Sequence, residues 1–254
     1  MAVYDMVFSP TGGTERVSDL FVKAFGKEST RIDLSRYDRD FSQWSFCEED
    51  ICMVAVPSYG GRVPAVALSR LGQMKGKGAR AILLVVYGNR AYEDTFAELQ
   101  DTLEEAGFLC IAGVAAVAEH SIMRQFAVGR PDDQDARELA VYASNICSKI
   151  EGAVPPARVQ LPGNRPYRQY GGVPIKPRAG KACIQCGLCA RKCPVGAIPA
   201  LDPSKTDSKS CISCMRCIAV CPQKARSVSK SLLAASVMKL KKACGGRKNN
   251  ELFL

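Results

Sequence analysis

The chain has 254 residues, is 47% apolar and carries 35 Lys+Arg against 25 Asp+Glu, a formal charge of +10. That length suits about two compact domains, and the apolar share is enough for packed cores. The longest apolar runs, 79–87 and 108–118, are far shorter than the ~20 residues of a membrane helix. With no secretory leader ahead of the first strand-like run, a cytoplasmic protein without a transmembrane segment is expected.

In chain order, 2–8 reads as a strand and leads into "FSPTGGT" (8–14). Residues 13–25 place Val17, Leu20, Phe21, Ala24 and Phe25 at helical spacing. Two strands follow, 30–34 and the continuous β-branched run 51–56. A helix is predicted over 65–74. The most apolar run, 79–87, is expected to be a central parallel strand. An amphipathic helix over 92–106 ends at Gly107, 108–118 is a strand, and 132–150 a closing helix with Asp132 and Asp133 at its positive end. Regular alternation of this kind predicts an α/β domain over 1–150, a doubly wound parallel sheet of five strands.

The character changes after 150. Residues 1–150 hold 16 Lys+Arg and 21 Asp+Glu; residues 151–254 hold 19 and 4. The segment 151–180 is basic and rich in Pro and Gly, and reads as a linker whose Tyr and Val residues dock on a neighbour. Nine of the 13 cysteines lie beyond residue 182, which marks 181–229 as a second, small α+β module. In the tail, 230–254, Leu233, Val237 and Leu240 make a short apolar stripe beside Lys239, Lys241 and Lys242. A helix packed on the protein is expected there, ahead of a membrane-surface helix.

The only internal repeat is "CIQCGLCARKCP" (183–194) and "CISCMRCIAVCP" (211–222). Both read C-x2-C-x2-C-x3-C-P. Three thiolates at this spacing hold one corner of a [4Fe-4S] cubane, and the fourth Cys, before Pro, ligates the other cluster. The expected sets are therefore Cys183, Cys186, Cys189 and Cys221 for the first cluster, and Cys211, Cys214, Cys217 and Cys193 for the second. Structural zinc is the competing reading, although its sites usually show paired C-x2-C units. Gly187 and Gly196 are expected where backbone nears sulfur. This module resembles the bacterial two-cluster ferredoxins, which implies transfer of single electrons at low potential. Of the remaining cysteines, Cys52, Cys110 and Cys147 read as core residues, and Cys47 and Cys244 as free thiols.

"FSPTGGT" lacks the Lys of a P-loop and the third Gly of a dinucleotide fingerprint. Hydroxyls and backbone N–H groups at a first strand-to-helix turn fit the phosphate of FMN, held by Ser9, Thr11, Gly12, Gly13 and Thr14 at the positive end of the helix. The third and fourth strands end in "PSYGGRVP" (57–64) and "VYGNRAYED" (86–94), at the sheet edge where a doubly wound fold binds its ligand. The whole chain resembles the EFR1 ferredoxin family, a flavodoxin-like domain fused to a two-[4Fe-4S] ferredoxin domain. That resemblance implies FMN, with Pro57, Ser58, Tyr59, Gly60 and Gly61 on one side of the ring system and Tyr87, Gly88, Asn89, Arg90 and Tyr92 on the other. Tyr59 and either Tyr87 or Tyr92 are candidates for stacking, or else packing residues. Arg62 and Arg90 would favour an anionic reduced flavin if they face it. His120, the only histidine, falls at the same sheet edge, near the flavin or simply hydrogen-bonded.

The expected function is electron transfer among FMN, two [4Fe-4S] clusters and an acidic protein partner, with no nucleic acid. An FMN and iron–sulfur oxidoreductase acting on a small acceptor such as a quinone is the alternative, and a flavin-free docking domain a second one.

Overall fold

A computed structural model describes residues 1–254. Five parallel strands, β1 (Val3–Val7), β2 (Thr30–Asp33), β3 (Ile51–Pro57), β4 (Arg80–Tyr87) and β5 (Leu109–Val117), lie in the order β2-β1-β3-β4-β5. This is the flavodoxin-like order, with its switch point between β1 and β3. Helices α1 (Gly13–Phe25), α2 (Ala65–Leu71), α3 (Thr95–Glu105) and α4 (Asp133–Glu151) make the crossovers.

The strands alternate faces. Met6, Phe8, Leu83 and Val85 join the core beneath α2 and α3, with Ala67, Leu71, Phe96, Leu99 and Leu103. Val3, Val7, Ile82 and Leu84 join the core beneath α1 and α4, with Val17, Phe21, Leu139, Ala143 and Ile146. Continuous apolar strands are what a sheet covered on both faces requires. Helix α4 opens with a capping box in which the Asp132 side chain accepts from the backbone N–H groups of Gln134 and Asp135.

The sheet is larger than the five strands read from the sequence. The tail adds a sixth, Glu251–Phe253, antiparallel to β5 with Gly113 opposite Phe253. Three residues are too few to show a period, so only their pairing identifies them. Between this strand and the cysteine module lies a helix, Lys230–Leu240, capped by Ser229. Its Leu233, Val237 and Leu240 pack on Met123, Phe126 and Cys244, as the apolar stripe implies. Cys244 is a free thiol, and it is buried.

Segment 151–180 follows the surface of α3 and then turns toward the cysteine module. Val159 is buried in the core, its N–H donating to the Cys110 carbonyl. Three of the segment's four arginines are paired with the first domain: Arg158 with Glu104, Arg165 with Asp101, and Arg168 with Glu93.

The cysteine module has a short helix in each repeat, Leu188–Arg191 and Arg216–Ala219, and a two-stranded ribbon, Arg178–Ala179 with Arg226–Ser227. The two repeats have the same backbone form. Gln185 and Ser213, Gly187 and Met215, and Gly196 and Lys224 all have positive φ at matching places. Four contacts fasten this module to the first domain. Arg216 Nη1 donates to the Ser9 and Pro10 carbonyls, and Arg70 Nη2 to the Pro194 carbonyl. Ile212 packs on the sheet core, and Gly196 faces the Tyr37 ring, where a Cβ would come within 2.9 Å. Gly196 thus makes room for a tyrosine of the other domain.

Candidate redox sites

The two sets of cysteines separate cleanly. Cys183, Cys186, Cys189 and Cys221 line one small cavity, and Cys193, Cys211, Cys214 and Cys217 line another. Each cavity therefore takes three thiols from one repeat and the C-P thiol from the other. The pseudo-symmetry extends to sulfur hydrogen bonds: Ala197 N–H donates to Cys193 Sγ and Ala225 N–H to Cys221 Sγ, both at 3.3 Å. No three His, Cys, Asp or Glu side chains meet at a single-ion geometry; the thiols are spread around cavities instead. Burial pushes the Cys214 thiol up to about 12 and that of Cys217 to about 11. Thiols so buried keep their protons until a metal displaces them. The donor chemistry, the crossed arrangement and the N–H···S bonds fit two [4Fe-4S] clusters.

The two cavities have different surroundings. Beside the first, Cys186 is exposed and Ile184 is 63% exposed. Beside the second, Cys193 and Cys214 are buried, and Ile212 and Ser213 continue into a third and larger space.

That space, about 210 Å³, lies where β1, β3, β4 and β5 end. Ser9, Thr11, Gly13 and Thr14 line it at the start of α1. Pro57, Ser58, Tyr59 and Gly60 line it after β3, and Tyr87, Gly88 and Arg90 after β4. Gly12, Gly61, Asn89 and Tyr92 do not line it. Gly12 caps α1 in the left-handed conformation at φ 89°, a turn that favours glycine. Asn89 donates to the Cys244 and Gly246 carbonyls. Tyr92 meets Tyr87 and Phe96 edge to face and donates to Glu251. Arg62 also lies outside, paired with Glu98 and stacked over Tyr167. Arg90 reaches the cavity paired with Glu93, so neither arginine is a bare cation at the site.

At the loop of α1, Ser9 Oγ accepts the Glu15 N–H. The N–H groups of Gly12, Gly13 and Thr14 have no acceptor in the protein. Free N–H groups at a helix start, beside hydroxyls, form an anion site. A Cβ at Gly60 would meet the Tyr170 ring and one at Gly88 would lie 2.8 Å from His120 Cγ. The glycines therefore let two rings approach the cavity. These features fit a flavin mononucleotide.

Several lining residues were not among the sequence candidates. Tyr170, Val173, Pro174 and Ile175 come from 151–180, Ser236 and Leu240 from the C-terminal helix, and Ile212 and Ser213 from the second cysteine repeat. The aromatic and apolar residues within the Pro/Gly-rich segment were the available signal for the first group. Burial raises the Tyr59 phenol well above its ordinary value, as does the nearby Cys214, and burial raises Tyr87 to about 12.

His120 also lines the cavity. Its Nδ1 accepts the N–H groups of Ile122 and Met123 at 3.2 and 3.3 Å. This arrangement fixes the neutral tautomer with its proton on Nε2. Burial, with Arg90 nearby, lowers the imidazole to about 4.

Residues 182–225 match the family model of the 4Fe-4S dicluster domain. No curated protein matches the chain. Among solved structures, a Streptococcus pneumoniae flavodoxin is 19% identical over 58% of this chain and 99% of its own, with a TM-score of 0.42. A Fusobacterium nucleatum flavodoxin, solved bound to flavin mononucleotide, is 14% identical over 58% and 96%, at 0.38. The flavodiiron core of Flv1 from Synechocystis is 15% identical over 61% and 37%, at 0.43. At such scores the fold assignment rests on the strand order alone.

Proposed function

We propose that this protein is a flavo-iron-sulfur electron carrier of the EFR1 ferredoxin type. FMN occupies the sheet-edge cavity, and the two cysteine sets hold [4Fe-4S] clusters. One observation carries the reading: Ile212 and Ser213, which sit between Cys211 and Cys214, line the same cavity as Ser9, Thr11 and Thr14. A single wall thus separates the cavity from the second cysteine set.

When bound, the clusters supply one-electron chemistry and the flavin one- or two-electron chemistry. The chain fixes the distance between them. Arg216 and Arg70 hold the cysteine module to the sheet domain, so transfer within the molecule needs no encounter. Tyr170 and Leu240 add to the cavity wall from outside the sheet domain.

The outer cysteine set is the exit. Cys186 and Ile184 are exposed, Arg191 reaches the Cys186 carbonyl, and Lys181, Lys192 and Lys224 of the same module are exposed too, while residues 181–201 and 208–250 contain no Asp or Glu. Three of the four linker arginines, Arg158, Arg165 and Arg168, are already paired, so the residues around Cys186 contribute a free positive surface. It suits an acidic redox protein, drawn in by long-range attraction.

The test is anaerobic purification with quantitation of iron, sulfide and FMN. Two clusters and one flavin per chain are expected. FMN should bind much more tightly than riboflavin, and Thr11→Ala with Thr14→Ala should reduce that preference about tenfold or more, since bonds to a charged group are worth about 1.5–3 kcal/mol each. Protein that holds zinc, or clusters without any uptake of FMN, would overturn the corresponding half of the reading.

A further inference from the structure

The two repeats align residue for residue past their C-P pairs: "CPVGAI" (193–198) with "CPQKAR" (221–226). Ile198 is 5% exposed and sits in the ordinary apolar manner. Its counterpart Arg226 is 2% exposed. A guanidinium has replaced an isoleucine in the interior of the module.

Its partners are all uncharged atoms or thiols. Nη1 donates to the Pro203 carbonyl at 2.7 Å and to Cys189 Sγ at 3.6 Å. Nη2 donates to Thr206 Oγ1. Nε is buried without a partner. The nearest acidic side chains in the module are engaged elsewhere, Asp202 with Lys205 and Ser204, and Asp207 with Ser210. Arg226 lines the first cysteine cavity, and Thr206, which accepts from its Nη2, lines the second. It therefore stands between the two cavities, in contact with Cys189 of the first and with the Thr206 wall of the second.

An arginine is never deprotonated in a protein, so this charge cannot be relieved by titration. A buried cation without a counter-charge is strongly unfavourable. The only negative charge that can come to it is that of the clusters. Each brings about −2 with its four thiolates when oxidised and one more when reduced.

Resting on the two-cluster reading, we infer that Arg226 is the shared internal counter-ion of both clusters, a fixed positive charge that raises the reduction potential of each. The extra negative charge of reduction falls next to the guanidinium in either cluster, so the reduced forms gain more than the oxidised ones. The effect differs from that of surface lysines, which water and salt screen. A charge held in the interior acts on the clusters at any ionic strength.

Redox titration followed by EPR on the full-length, cluster-loaded protein tests this, with iron and sulfide counted first. Wild-type protein without iron would sink the cluster reading itself and leave nothing for Arg226 to neutralise. In Arg226→Met, which keeps the bulk and removes the charge, both midpoints should fall, and the fall should persist at high salt. Arg226→Lys should stay close to wild type. Unmoved midpoints in a fully loaded Arg226→Met, or movement of one cluster alone, would overturn the shared role. If Arg226→Met fails to load but Arg226→Lys loads, the charge is required even for assembly, which supports the inference. If neither loads, the fork-shaped packing matters rather than the charge, and the inference fails.

Discussion

Arg216 stands between Cys214 and Cys217, yet its Nη1 lies 3.1 Å from the carbonyl oxygen of Ser9, 207 residues away in the chain. The same nitrogen reaches the Pro10 carbonyl at 3.4 Å. A residue enclosed by two cysteines of the second set thus fastens the module to the loop at the start of α1. Arg216→Met should cost about 2 kcal/mol of domain docking, the range for hydrogen bonds from a charged donor. Iron and flavin content should stay near wild type, while cleavage within 151–180 by added protease accelerates. Unchanged proteolysis would show that Arg70 and Ile212 suffice to hold the domains together.

His120 gives a pH dependence with a definite sign. Its folded-state value, about 4, lies below the ordinary value of 6.5. Between those limits the unfolded chain binds the proton and the folded chain does not. Stability from this group is therefore complete above pH 6.5 and falls as the pH drops toward 4, by up to about 1.4 kcal/mol per pH unit. His120→Phe should flatten that slope in chemical denaturation series. As the chain has one histidine, its imidazole ¹⁵N signals need no assignment. They should report the Nε2–H tautomer, and a protonated ring at pH 6 would disprove it.

Cys193 belongs by sequence to the first repeat and by position to the second cavity. Cys193→Ala should damage the cluster of Cys211, Cys214 and Cys217, and leave that of Cys183, Cys186 and Cys189 closer to wild type. EPR of the reduced protein, with iron counted, distinguishes the two. Loss confined to the first cluster would refute the crossed assignment.

Electron transfer to an acidic partner should slow as salt rises and the Debye length shortens to ~8 Å near physiological ionic strength. Lys192→Glu with Lys224→Glu should lower the association rate at low salt about tenfold or more and remove most of the salt dependence, leaving cluster content intact. Stopped-flow mixing across a salt series measures both. A wild-type rate that is flat with salt would mean the exposed lysines near Cys186 serve some other purpose.

The sheet was legible in the sequence because its signal is local. Runs such as 81–87 are apolar over their whole length, and a helix follows. The cysteine sets were legible because chemistry fixes their spacing. What could not be read is what tertiary contact decides. Glu251–Phe253 becomes a strand only by lying against β5. Tyr170 and Leu240 meet at one cavity from segments some 70 residues apart. Arg226 had a signal of another kind: the repeat itself, in which an arginine stands where its copy has Ile198. Tyr92, read as a candidate either for stacking or for packing, packs edge to face on Tyr87 and Phe96.

The unequal burial of the two cysteine sets bears on survival in air. Oxygen attacks an iron–sulfur cubane where it can reach a sulfide edge. Of the first set Cys186 is exposed, whereas Cys193 and Cys214 of the second are buried, so the first set is the easier one for oxygen to reach. A molecule briefly exposed to oxygen would lose its outer cluster and keep the inner one beside the flavin cavity. It would then still exchange electrons internally but have no outlet, and damage would leave a silent carrier instead of one that leaks electrons to oxygen.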